Sequence, residues 1–167
     1  MKKIKIILLT IVLCLLSGAI AYYVTLQIDK YRKGGNVDVK VTFDDTETYV
    51  IPSIQKMSKE EALKEWPYKV TVVNSGNAKG LYQIIIEDVS NSIQRDDLDY
   101  ALFIDEKEVS SGNLKKIKDN ILYTYEISAN ETQKYDLYIW CVKDQKEESK
   151  YEYKLTFNVI KDGGPGF

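Results

Sequence analysis

The chain contains no histidine, and that absence limits what its side chains can do. Without imidazole there is no Ser-His-Asp or Cys-His nucleophile pair and no His-ligated zinc protease motif. No side chain then has an ordinary pKa near neutrality. Any chemistry falls to carboxylates, Lys, Tyr or Cys. Two acidic stretches have the density for it: Asp96, Asp97 and Asp99 after Ser92 and Gln94, and Asp44, Asp45 and Glu47. Loop oxygens grouped in this way can chelate calcium, and paired carboxylates can serve a hydrolase as acid and base. Neither stretch has the glycine and spaced ligands of an EF-hand loop, so solvated loops between strands are expected and no cofactor is assigned. Should both stretches meet at one end of the fold, the case for calcium would strengthen.

The remaining reactive types read more simply. Cys141 shares an alternating face with Tyr135, Leu137 and Ile139, which predicts a small buried hydrophobe, inert as a nucleophile. The other cysteine, Cys14, lies in an apolar stretch, so no disulfide can form within the polar part of the chain. Asn130-Glu131-Thr132 matches a glycosylation sequon, but within SANET it reads as a turn. Ten of the 13 tyrosines follow residue 35, and with Trp66 and Trp140 they form the main compositional excess. Several fall on predicted inner faces. Tyr138 and Trp140 fall on the opposite face of their strand, as a candidate interaction patch for a protein partner or glycan. A helix packed over Trp140 would remove it from that patch.

The elements that must position these residues fall into two parts. Residues 6–28 carry no charge. As a helix they would reach roughly 34 Å, enough to cross a hydrocarbon core of about 30 Å. Residues 1–5, with Lys2, Lys3 and Lys5, form a basic cytoplasmic region before this signal-anchor helix. Ala19-Ile20-Ala21 also fits a signal cleavage site. The apolar pattern nevertheless continues through Tyr22, Val24, Leu26 and Ile28, as a span would. Basic residues tie at three on each side, and the free amino terminus favours a cytoplasmic N-terminus with the bulk extracytoplasmic. Lys30, Arg32 and Lys33 are placed to meet anionic headgroups at the membrane interface.

Six of the 23 basic residues and one of the 25 acidic ones precede Asn36, leaving a formal charge of −7 on the rest. That sign repels phosphates and argues against nucleic-acid binding. The bias to Lys, Ile and Tyr, with two Arg, hints at a low-GC, Gram-positive source.

After a linker at 29–35, residues 36–160 divide into short period-two segments separated by turn residues. Strands are predicted at 37–43, 48–51, 68–74, 81–87, 98–104, 121–127, 134–142 and 151–160, with a short piece at 108–109 pairing back. Ser58 and Glu61 make a capping box for one short helix over 58–66, stopped before Pro67. Tyr151, Tyr153, Leu155, Phe157 and Val159 should form a five-residue inner stripe. The pattern predicts an all-β, immunoglobulin-like antiparallel sandwich of seven to eight strands. A flexible Gly/Pro-rich tail is expected at 161–167.

Two stretches carry a resemblance. Residues 70–89, VTVVNSGNAKGLYQIIIEDV, resemble a hairpin of bacterial immunoglobulin-like surface domains, with an Asn-x-Gly turn after a Val-rich strand. Residues 127–140, ISANETQKYDLYIW, resemble a segment of small anchored extracytoplasmic proteins of Gram-positive bacteria. The layout is distantly similar to the TasA/camelysin group of biofilm-fibre and surface proteins. The resemblance implies a sandwich behind an N-terminal signal, and no catalytic residue carries over. The resulting expectation is a non-catalytic membrane protein presenting its domain to a protein partner at the cell envelope. The alternatives are a fibre subunit released by cleavage after Ala21 and an envelope hydrolase using Asp96, Asp97 and Asp99.

Overall fold

The computed structural model describes residues 36–44 and 46–161. The expected span at 6–28, the linker at 29–35 with Lys30, Arg32 and Lys33, Asp45, and the tail beyond Lys161 lie outside the described residues. Among the described residues no helix is long and apolar enough to cross a membrane.

Alternation dictates the strands. In an extended chain successive side chains point to opposite faces. Over Tyr68–Asn74 the side chains of Tyr68, Val70, Val72 and Asn74 are buried, while Lys69 is exposed and Thr71 and Val73 half-buried. The same rhythm sends Tyr82, Ile84 and Ile86 inward and leaves Ile85 between them half-exposed. Nine strands result among the described residues: β1 (Val39–Phe43), β2 (Thr48–Val50), β3 (Tyr68–Asn74), β4 (Gly80–Asn91), β5 (Leu98–Ile104), β6 (Lys107–Asn113), β7 (Ile121–Ile127), β8 (Thr132–Cys141) and β9 (Tyr151–Lys161). Their ladders are antiparallel, in two sheets ordered β1-β3-β8-β5-β6 and β2-β9-β4-β7. The inner faces share one core in which Tyr68, Tyr82, Tyr135, Tyr151 and Tyr153 are among the largest fully buried side chains.

The all-β sandwich is as expected, but its strand order is not immunoglobulin-like. Strands β2 to β9 pair as if a single long ribbon had been folded in half: β2 with β9, β3 with β8, β4 with β7, β5 with β6. Successive pairs alternate between the sheets and are joined by β9 against β4 and β8 against β5. This is the jelly-roll form of a double Greek key, with β1 added outside β3. An immunoglobulin-like sandwich would instead place its strands as ABED and CFG. Periodicity fixes which side of a strand is buried and carries no information about its neighbour.

Two smaller differences have local causes. The helix α1 is a single turn, Lys59–Ala62, after which the chain tightens into turns from Lys64 N–H to Glu61 C=O and from Glu65 N–H to Ala62 C=O. Its capping box is formed as expected, with Ser58 N–H donating to Glu61 Oε2 at 2.8 Å and Glu61 N–H to Ser58 Oγ at 3.3 Å. The inner stripe of β9 holds for Tyr151, Tyr153 and Leu155, and Phe157 packs at its margin. Val159 is 39% exposed. There the ladder to β4 shifts register, and β2 has already ended opposite Lys154.

Candidate functional site

The outer face of the five-stranded sheet carries a second, smaller apolar cluster. Strand β3 begins at Tyr68, opposite Leu137, while β8 runs on to Cys141. The last four residues of β8 therefore lack β3 as a neighbour. The segment before β3 fills the place: Lys56 bridges to Cys141, and Met57 N–H donates to Cys141 C=O at 2.9 Å. Helix α1 then lies over the sheet, with Met57, Ala62 and Leu63 on Trp140 and Ala101. An ion pair from Lys59 Nζ to Glu108 Oε1 at 2.7 Å ties the helix to β6.

This cover changes which aromatic residues meet solvent. Trp140 is only 5% exposed, packed beneath the helix, so it does not contribute an open surface to the expected patch. Tyr138 stays half-exposed at the margin of the cover and meets Phe103 edge-to-face at 5.7 Å. Trp66, just past the helical turn, is 82% exposed. Trp66 and Tyr138 line one shallow groove with Tyr49, Pro52 and Glu65. The aromatic ledge is thus Trp66, exposed, with the half-buried Tyr138 and Phe103. Phe103 was not singled out from sequence. Its only signal was its place on the outer face of 98–104, two residues from Ala101.

The acidic stretches are apart. Asp44 N–H donates to Lys69 C=O beside the start of β3, and Asp97 C=O accepts from Val142 N–H past the far end of β8. Within 96–99 the carboxylates turn to different partners. Asp96 faces Lys115 at 3.6 Å, Asp97 pairs with Lys143, and Asp99 Oδ1 accepts from Asn113 Nδ2 at 2.9 Å. Asp44 instead joins Asp105, Glu106 and Asp136 around an open cleft of ≈ 570 Å³ that also holds Lys69 and Lys134. Among the described residues no three Asp, Glu or Cys side chains converge in a metal-binding arrangement. Asn130 sits exposed in the turn between β7 and β8 with a positive φ of 58°. Glu131 closes that turn by accepting from Ser128 N–H.

The electrostatics follow from these partners. Every described carboxylate with a displaced pKa is displaced downward. Hydrogen bonds from Ser58 lower Glu61, and those from Lys154, Lys143 and Lys59 lower Glu87, Asp97 and Glu108. For Asp88 and Glu131 burial acts upward, and hydrogen bonds outweigh it, from Arg95 and Tyr151 and from Ser128 and Gln133 respectively. A general acid working near neutrality needs the opposite displacement. Cys141 is fully buried, and burial pushes its thiol up to about 11, with Asp97 and Asp144 adding to the effect. No protein-family model and no curated protein matches the chain.

Proposed function

We propose that this is a non-catalytic contact domain of the cell envelope, held at the membrane by the uncharged segment 6–28 and binding another protein through Trp66, Tyr138 and Phe103. The observation that carries the reading is Trp66, 82% exposed beside a half-exposed tyrosine. Aromatic residues are enriched at protein interfaces and often dominate their energetics. Its support against catalysis is the downward displacement of the shifted carboxylates together with the lack of histidine. Kinship with the TasA/camelysin group, a Gram-positive source and an extracytoplasmic domain belong to the same proposal. So does the contact of Lys30, Arg32 and Lys33 with headgroups. The test is photo-crosslinking in intact cells from a reactive residue at position 66. A discrete adduct that is absent when the probe sits at exposed Thr124 supports the reading. No adduct at position 66, with the protein in the soluble fraction uncleaved, overturns it.

A second reading has its own observation. Strand β2 pairs with β9 only at Glu152–Lys154, so beyond Lys154 that edge of β9 has no strand partner among the described residues. An open edge can accept a strand from another molecule, as a fibre subunit released after Ala21 would require. N-terminal sequencing separates the two: a mature start at Tyr22 favours release, and an intact Met1 favours the anchor.

A further inference from the structure

The chain enters the sandwich at its edge strand, β1, where fraying is the ordinary behaviour of a terminus unless something ties it down. Here the tie is extensive. Asn36 N–H donates to Asn77 Oδ1 at 2.8 Å, and Asn77 N–H returns a bond to Asn36 C=O at 3.0 Å. Asp38 N–H donates to Asn74 Oδ1 at 3.2 Å, while Asp38 C=O accepts from Ser75 N–H at 2.8 Å. Ser75 Oγ also donates to Asp38 Oδ2 at 2.6 Å. Asn74 is itself fixed from behind, its Nδ2 donating to Ala78 C=O at 2.7 Å and Ser128 C=O at 3.0 Å.

Two glycines let the strands approach this closely. A Cβ on Gly76 would stand 1.9 Å from Asn36 O and 2.8 Å from Asp38 N, both backbone atoms. A Cβ on Gly80 would stand 2.5 Å from Val37 Cγ1. Backbone cannot yield as a long side chain does, so the Gly76 contact admits no other residue without moving the strand. The loop between β3 and β4 therefore holds residues 36–38 by backbone hydrogen bonds, side-chain hydrogen bonds and close packing.

We infer that residues 36–38 and the loop at 75–79 form a latch that fixes the point where the chain joins the domain. Motion arriving at Asn36 is passed to β3 and, through its ladder with β8, to the centre of the sheet, instead of being absorbed by a frayed edge. The use of the latch rests on the tether proposed above. Its existence does not, and the following experiment reads the latch alone.

Hydrogen–deuterium exchange of the full chain resolves a peptide covering 36–43 from peptides covering β3 and β8. In the native protein those 36–43 amides that face β3 exchange as slowly as the amides of β3, while the alternate amides on the open edge exchange fast. In Gly76→Ala the 36–43 peptide exchanges on the order of tenfold faster or more, while β8 keeps its protection. Should Gly76→Ala fail to fold, Ser75→Ala and Asn77→Ala each remove one latch contact with no steric demand, and each should raise exchange in 36–43 alone. Exchange of 36–43 at the rate of an unprotected chain in the native protein overturns the latch. So do folded variants with unchanged protection.

Discussion

Asn74 has 0% exposure, and replacing its carboxamide removes the partner of several part-buried backbone groups at once. In Asn74→Ala the N–H groups of Asp38 and Gly76 lose their acceptor, and the carbonyls of Ala78 and Ser128 lose a donor. Each buried polar group left unpaired costs about 1–3 kcal/mol. Water reaches the exposed parts of that loop, so a loss of roughly 3 kcal/mol in urea unfolding is expected, not the full sum. Cys141 behaves differently, since the only polar partner of its thiol among the described residues is the Ser53 carbonyl, to which it donates a long, weak bond at 3.7 Å. Its thiol should resist modification at pH 8 in the native protein and react at once in denaturant, and rapid native labelling would contradict its burial. The sign follows from the raised value. Stability from the buried neutral thiol is complete below the ordinary cysteine pKa of about 8.5 and is lost as pH climbs toward about 11. The role of Cys141 was legible from alternation with Leu137 and Ile139. That of Asn74 was not, because a polar residue closing a strand reads as the start of a turn whether it points out or in.

Helix α1 shows where local sequence signals stop. Ser58 and Glu61 announce the capping box from four residues alone, and the box forms as read. Which tryptophan the helix covers cannot be read in that way, because it depends on β3 starting at Tyr68 while β8 runs on to Cys141. The two tryptophans report separately on the result. Trp66→Phe should leave blue-shifted emission, protected from acrylamide, from Trp140. Trp140→Phe should leave red-shifted, readily quenched emission from Trp66. Equal quenching of the two variants would mean that the helix does not cover the sheet. Ser58→Ala removes one cap and should cost about 1 kcal/mol. Trp140 should then become easier to quench, since the cover and the cap belong to one turn. Trp66→Ala should leave the melting temperature nearly unchanged, since little of that side chain is buried. A large drop would show that Trp66 supports the fold and is not free for a partner.

Strand order is a property of the whole chain, and here it departs from the immunoglobulin-like expectation although most strand positions were read well. The β5–β6 hairpin shows why. Its turn residues Asp105 and Glu106 both have positive φ, of 46° and 70°, without the Asn-Gly or Asp-Gly signal that such turns favour. The length of β6 and its place at the sheet edge were therefore hidden. What the composition did expose was a core built on tyrosine, and that choice has a consequence for the entire molecule. Burial raises the pKa of Tyr82, Tyr135, Tyr151 and Tyr153 above the ordinary value of about 10. A neighbouring phenol adds to this at Tyr135, and Asp88 adds to it at Tyr151. A folded-state pKa raised above the unfolded one contributes stability that is complete below the unfolded value and disappears as pH rises past it. These phenols lie on β4, β8 and β9, so ionising any one of them places a charge between the two sheets. Titration followed at 295 nm should therefore show a steep step above the ordinary tyrosine range, coincident with loss of the β-sheet circular dichroism signal. A single smooth titration of all tyrosines with the sheet signal intact would mean that these phenols reach water in the folded state, and the tyrosine core described here would be wrong.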